Sequence, residues 1–205
     1  MIKDALRFII PILALAVASW AAGFSLLALL LLALGCFVCY FFRNPRRRIP
    51  QGRNLVVSPA DGRIVRIAPA PMSPAATGGR LVSIFLGLFD VHVNRAPVDG
   101  ILEEIEYRRG RFKAAFRHEA SDVNEQNVLT IRSGEMRVIV KQIAGVVARR
   151  VVCWKQAGQH MRRGELIGLI RFGSRVDIEL PPNVKLLVSE GDRVRGGTTV
   201  LGEYV

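Results

Sequence analysis

The chain has 205 residues, with 29 Lys and Arg against 17 Asp and Glu and a net charge of +12. That length suits one globular domain plus a targeting or membrane segment. So basic a balance points to nucleic acid, an anionic membrane or an acidic substrate as partner. The three scattered cysteines, Cys36, Cys39 and Cys153, exclude a disulfide framework and a paired metal-ligand set. Cys36 and Cys39 have C-x-x-C spacing but lie in an apolar run without polar company, which reads as packing rather than redox chemistry.

From Phe8 to Phe42 no residue is charged, a run well past the ~20 apolar residues that span a bilayer. As one helix it would be roughly 50 Å long, too long for the membrane core unless strongly tilted. "SWAAGFS" (Ser19 to Ser25) offers a break near its middle. Lys3 and Arg7 precede the run, and Arg43, Arg46, Arg47, Arg48 and Arg53 follow it. Lys and Arg favour the cytoplasmic side, so the pattern predicts a hairpin of two short helices, or one span plus an interfacial piece. The run is too long for a signal peptide and lacks a small-residue cleavage site. Residues 1–50 are therefore expected to be a retained helical membrane anchor in the inner cell membrane, with residues 51–205 on the cytoplasmic side. The "RNPRRR" cluster should attract anionic lipid headgroups at about 1 kcal/mol per residue. With most of the excess charge explained by a membrane, nucleic acid falls away as partner.

After Asn54 short β-branched runs recur: "NLVV", "GRIVRIA", "RLVSIFL", "GILEEIEY", "NVLTIRS", "MRVIVKQIAGVVARRVV", "ELIGLIRF", "RVDIEL", "VKLLV" and "TTVLGEY". Turn signals such as Asp61-Gly62, Asp99-Gly100 and Ser133-Gly134 separate them. Many short strands at close spacing predict a mainly β domain, a sandwich or barrel. "APAPMSPAATGG" (Ala68 to Gly79) and "GRFKAAFRHEASDVNEQN" (Gly110 to Asn127) read as long loops. "QAGQHMRRGELIG" (Gln156 to Gly168) is echoed by "SEGDRVRGGTTVLG" (Ser189 to Gly202), which suggests pseudo-repeated hairpins. The pattern resembles lipoyl-type barrels, without the modified lysine turn of a carrier.

Few residues are equipped for chemistry. In "FDVHVNRAPVDG", Asp90, His92 and Asn94 share one face if the segment is a strand. His118 falls in the polar loop and His160 in the hairpin echo, and both read as surface residues. Asp61, in "SPADG", is a turn former or an acid. No metal-ligand spacing and no phosphate-cradling glycine loop occurs, so neither metal nor nucleotide is expected. "RFGSRVD" (Arg171 to Asp177) sets a Gly-Ser pair in a strand-like run. The pair reads either as a β-bulge or as a nucleophile on a strained turn.

"SPADG", "LGLFDVHVNRAPVDGIL", "SDVNEQN" and "FGSRVDIELP", in this order after an apolar anchor, resemble the phosphatidylserine decarboxylase family of the short bacterial membrane-bound type, over roughly Leu55 to Val205. The resemblance implies self-cleavage between Gly173 and Ser174, giving a β chain (1–173) and an α chain (174–205) that stay together as a heterodimer. It implies a pyruvoyl group made from Ser174, with neither PLP nor metal. It also implies decarboxylation of phosphatidylserine to phosphatidylethanolamine through a Schiff base on that group. Asp61 and His92 match acidic and histidine positions of the family, Asp61 to orient a base and His92 as acid/base. Arg95 stands where the better-known form of the family has a second histidine, and Arg175 where that form has threonine, so an Asp-His-Ser relay does not transfer whole. The alternative reading is a non-catalytic membrane adaptor with a lipoyl-like barrel. A DNA-binding protein is a distant third, since no reading element is present.

Overall fold

The computed structural model describes residues 5–70, 78–115, 119–146, 151–171 and 173–204. The chain forms two compact units that divide between Arg46 and Arg47. The first holds helices α1 (Leu6–Ala21) and α2 (Ser25–Phe41). The expected break in the apolar run is present, and glycine makes it. Gly23 has a left-handed φ of 84°. Its N–H donates to the Trp20 carbonyl at 3.0 Å, and the Phe24 N–H to the Ser19 carbonyl at 2.9 Å, the bond pair of a Schellman cap. The helices run antiparallel. Phe8 stacks on Phe42 with ring centroids 5.8 Å apart, and Ile12 and Leu13 close on the bare Cα of Gly35. Ile10, Val17, Trp20, Phe24, Leu26 and Leu29 point outward and are exposed. No helix among the described residues is long and apolar enough to cross a membrane.

The second unit is built from strands. In chain order they are β1 (Leu55–Val57), β2 (Gly62–Pro69), β3 (Arg80–Leu86), β4 (Val93–Arg95), β5 (Gly100–Arg108), β6 (Gln126–Ser133) and β7 (Met136–Ile143). There follow β8 (Val151–Cys153), β9 (His160–Met161), β10 (Leu166–Ile170), β11 (Ser174–Leu180), β12 (Val184–Leu186), β13 (Arg193–Val194) and β14 (Val200–Tyr204). A four-residue helix, α3 (Ala120–Val123), sits between β5 and β6. Among the described residues the strands make one eight-stranded sheet, β13-β2-β3-β11-β7-β6-β5-β9, and two three-stranded sheets, β1-β14-β12 and β4-β10-β8. Val82, Ile84, Leu129, Ile131, Val138, Val140, Val176 and Ile178 form the centre of the core.

The sheet orders mirror one another. β1, β2, β3, β11, β12, β13 and β14 form one half, and β4, β5, β6, β7, β8, β9 and β10 correspond to them in the other. Matching bonds recur. Gly62 pairs with Val194 as Gly100 pairs with Met161. A methyl on Gly62 would lie 2.2 Å from the Phe85 carbonyl oxygen, and one on Gly100 would lie 2.2 Å from that of Arg132. The Gly196 N–H donates to Asp61 Oδ1 at 2.8 Å, and the Arg163 N–H to Asp99 Oδ1 at 3.0 Å. The predicted hairpin echo is thus part of a larger duplication that also relates "SPADG" to "APVDG". The second half interrupts the first: the chain leaves β3 at Gly87 and returns to β11 at Ser174.

Four expectations change. "MRVIVKQIAGVVARRVV" is two strands, because β7 ends at Ile143 and β8 begins at Val151. The second long loop contains α3. His92 and Asp90 precede β4 rather than lying in it, and both His92 and Asn94 are wholly buried. The Gly-Ser pair opens a strand instead of interrupting one, since β11 starts at Ser174. Most of the Pro/Ala-rich loop, His118 and Phe172 lie outside the described residues.

Candidate active site

Ser174 is the first residue of β11, paired with Leu86 of β3, and the next residue, Arg175, pairs with Ile143 of β7 as well as with Phe85. Side chains alternate along a strand, so Ser174 shares the core face with Val176, Ile178 and Leu180. It has no exposed surface, and its Oγ makes no hydrogen bond among the described residues. Leaving a buried hydroxyl unsatisfied costs about 1–3 kcal/mol, and such an orphan in a well-packed sheet points to chemistry. Gly173 just before it has φ 60°, the left-handed region that any side chain would strain.

The opposite face of β11 is polar and equally buried. Arg175 Nε donates to Asp177 Oδ1 at 2.6 Å, and Nη2 donates to Asp177 Oδ2 at 3.1 Å and to Ser83 Oγ at 2.7 Å. Ser121 Oγ of α3 donates to Asp177 Oδ2 at 2.6 Å. Lys141 and Glu179 form a second buried ion pair at 2.6 Å. Both faces of the strand carrying Ser174 are therefore locked.

His92 is fully buried, and its Nδ1 lies 2.9 Å from the Asp90 carbonyl oxygen. A carbonyl only accepts, so Nδ1 carries a proton and donates it to this bond. The Ile170 N–H donates to the His92 carbonyl at 3.2 Å, tying His92 to the segment that leads into the Gly-Ser pair. Asp90 Oδ2 accepts the Gly87 N–H at 2.8 Å and so braces the turn where the chain leaves β3. Asn94 Oδ1 accepts from Gln142 Nε2 at 2.8 Å, so Asn94 is engaged in bonds within the buried interior. His160 is exposed, as the sequence suggested.

Asp61 lies at the same end of the sheet as Ser174. Arg63 and Arg175 flank Phe85 from opposite sides, which sets β2 and β11 two strand spacings, about 10 Å, apart. Asp61 Oδ2 accepts from Arg47 Nη2 at 2.6 Å, and Oδ1 accepts from the Gly196 N–H at 2.8 Å. Burial outweighs these two bonds and raises its carboxyl above the ordinary carboxylate value, with a small push from Asp90. The duplication separates the ordinary from the special here. Asp99 accepts the equivalent backbone N–H at the surface, whereas burial and the Arg47 pair distinguish Asp61. Arg95 is also buried and donates to the Gly164 carbonyl at 2.9 Å. Burial, and then repulsion by Arg47, lowers its pKa.

Sequence reasoning passed over Arg47, Arg175, Asp177 and Ser121. Arg47 looked like one more basic flank, Arg175 entered only as a departure from the family's threonine, and Asp177 and Ser121 drew no reading. Several of their partners lie far along the chain: Ser121 and Asp177 are 56 positions apart, and Ser83 and Arg175 are 92 apart.

A duplicated β domain that keeps an unbonded serine hydroxyl inside its own sheet, behind a left-handed glycine, defines the class of protein. The model of the family "Phosphatidylserine decarboxylase" matches residues 34–202. A phosphatidylserine decarboxylase proenzyme of Symbiobacterium thermophilum is 46% identical over 207 residues, covering 98% of this chain and 94% of the relative. One from Carboxydothermus hydrogenoformans is 46% identical over 178 residues, covering 86% and 84%. One from Solibacter usitatus is 44% identical over 188 residues, covering 92% and 88%. The chain belongs to the phosphatidylserine decarboxylase family.

Proposed function

We propose that this chain is a self-processing decarboxylase that converts phosphatidylserine to phosphatidylethanolamine and CO₂, using a pyruvoyl group made from Ser174. The observation that carries the reading is the buried, unbonded Ser174 Oγ directly after a left-handed Gly173. Such a hydroxyl suits attack on the preceding carbonyl. The Oγ–H adds to the Gly173 carbonyl carbon, the bond to the Ser174 nitrogen breaks, and that nitrogen takes up a proton, leaving an ester. Loss of the Ser174 Cα proton expels the Gly173 carboxylate. Water then replaces nitrogen as ammonia at residue 174.

The burial of His92 and its backbone tie to the segment leading into the Gly-Ser pair support His92 as the group that moves these protons. Both oxygens of Asp61 are already bonded, which supports a role in holding Arg47 and the 196 turn so that the surroundings of the base stay fixed. A pyruvoyl group supplies a ketone that captures the substrate amine and draws off the electrons freed when CO₂ leaves. Around it the chain's own residues shut out water, the locked faces of β11 keep residue 174 in place, and His92 holds the proton that replaces the carboxylate. The outward apolar residues of α1 and α2, with the arginines that follow, support a helical hairpin that tethers the domain to anionic lipid on the cytoplasmic side of the inner membrane. The mirrored hairpins support a barrel of the lipoyl type.

Intact-protein mass spectrometry beside a Ser174→Ala variant tests the reading. Wild type should give two fragments divided after Gly173, the smaller about 17 Da lighter than unmodified residues 174–205, and should release CO₂ from phosphatidylserine. A whole, unmodified wild-type chain that still decarboxylates would overturn it, and a whole, inactive chain would favour the adaptor.

A further inference from the structure

The carbonyl that Ser174 would attack is seated on a residue that no motif marks. Gly145 follows β7 and is buried. A methyl built on it would lie 1.8 Å from the Gly173 carbonyl oxygen and 3.0 Å from its carbon, with the Ala115 methyl 3.4 Å away on another side. Gly145 does not have a positive φ, so its backbone conformation does not call for glycine. The carbonyl does.

We propose that Gly145 is a positioning residue for self-cleavage: its bare Cα is the seat that sets the direction of the Gly173 C=O. This rests on the reading of Ser174 given above. Attack by Ser174 Oγ on the preceding carbonyl closes a five-membered ring, so its reach is short and its line of approach narrow. Ser174 itself is fixed by its pairing with Leu86. The remaining freedom is rotation of the Gly173–Ser174 peptide plane, and the contact between its oxygen and Gly145 removes it. A methyl at 145 turns that plane and takes the carbonyl out of line. A displacement of about 1 Å at a reacting centre costs on the order of 100-fold in rate.

The mirrored half supplies a control. Gly134, the counterpart of Gly173, has φ 62° and nothing within 4 Å of a built methyl, so Gly134→Ala adds a methyl and a left-handed strain to the same domain without a clash and far from the carbonyl. Processing of newly made full-length chain is followed by intact mass for wild type, Gly145→Ala and Gly134→Ala. Folding is checked by thermal melts in the Ser174→Ala background. A Ser174→Cys background treated with hydroxylamine reports the acyl shift alone, because hydroxylamine cuts the thioester that the shift forms.

Gly145→Ala should still fold, with a melting temperature lowered by several degrees as for other methyls set against a backbone oxygen, process at least about 100-fold more slowly and lose the hydroxylamine cut, while Gly134→Ala processes normally. Processing of Gly145→Ala at the wild-type rate overturns the proposal, as does an undiminished hydroxylamine cut. If the alanine chain does not fold, Ala115→Val decides, since Ala115 borders the same space and a larger side chain there crowds the seat without adding an atom to Gly145. Slowed cleavage of the folded valine variant upholds the proposal, and the wild-type rate refutes it. A wild-type chain that never cleaves removes the reading of Ser174 itself, a distinct result.

Discussion

Asp177→Asn should be among the most damaging conservative substitutions in this chain. Arg175 and Asp177 side chains are both 0% exposed, and their ion pair has a 2.6 Å contact. Asparagine fills the same space but carries no charge, so it leaves Arg175 as a buried cation without the carboxylate that pairs it. Stranding one partner of a buried pair costs about 3–5 kcal/mol. At roughly 2–4 °C per kcal/mol for a domain of this size, the melting temperature should fall by roughly 6–20 °C. The melt belongs in the Ser174→Ala background, where the chain stays whole and unfolding is not mixed with cleavage. Replacing both partners, Arg175→Met with Asp177→Leu, should recover most of the loss, because buried pairs exchanged for apolar side chains are often neutral. In the Ser174 background, Asp177→Asn should also slow processing, since Arg175 adjoins the cleavage site. A stability loss under about 1 kcal/mol would refute the reasoning, by showing that water or a relaxed loop already solvates Arg175.

Three further outcomes follow from the geometry. Fragments 1–173 and 174–205 should co-elute in size-exclusion chromatography and separate only in denaturant, because β11 is paired on both sides; separation in native buffer would contradict the sheet order. Gly62→Ala should cost about 3 kcal/mol or more, as its methyl meets the Phe85 backbone oxygen. Gly191→Ala, with φ 93° and open space, should cost only about 1–2 kcal/mol, and equal losses in denaturant titrations would argue against the steric account. Because burial raises the Asp61 carboxyl, the folded chain keeps a proton that the unfolded chain gives up, so this group's contribution to stability falls as pH rises from the ordinary carboxylate value through the raised one. Subtracting the pH–stability curve of Asp61→Asn from that of wild type should reveal this downward step, and a difference curve that rises there would reverse the assignment.

Much of the strand map was legible because alternation and turn chemistry are local. "RLVSIFL" spans the same residues as β3, and "GRIVRIA" falls one residue short of β2. The helix break at Gly23 was legible for the same reason, a glycine and polar neighbours in an apolar run. The end of β7 was not. Apolar residues continue past Ile143 without a turn signal, and the close approach of Gly145 to the Gly173 carbonyl is a contact from far along the chain. The duplication was half legible. Its Gly-Arg-rich hairpins share enough letters to be seen, whereas "SPADG" and "APVDG" share only Pro, Asp and Gly, and their kinship lies in matching backbone bonds. At the site, Ser174 and Gly173 stood out as a motif. Arg47 and the Arg175–Asp177–Ser121 network depended on partners that only folding brings together.

The mirrored halves explain how a chain can be cut inside a sheet without losing it. In the second half, β6 and β7 join through Gly134 and Glu135, with Ser133 paired to Met136. In the first, β3 and β11 are the same hairpin, with Leu86 paired to Ser174, but the turn is missing and the whole second half stands in its place. The Gly173–Ser174 bond therefore lies where a hairpin turn would be, and breaking it severs a connection but no rung of the ladder. Gly173 takes φ 60° where the closed hairpin has φ 62° at Gly134, so the left-handed glycine needed to present the carbonyl is also a normal feature of that corner. On the proposed cleavage, the new terminus at 174 would be the first residue of a central strand that is paired on both sides and faces the core. That placement would shield it from water while leaving the pairing of β11 in place.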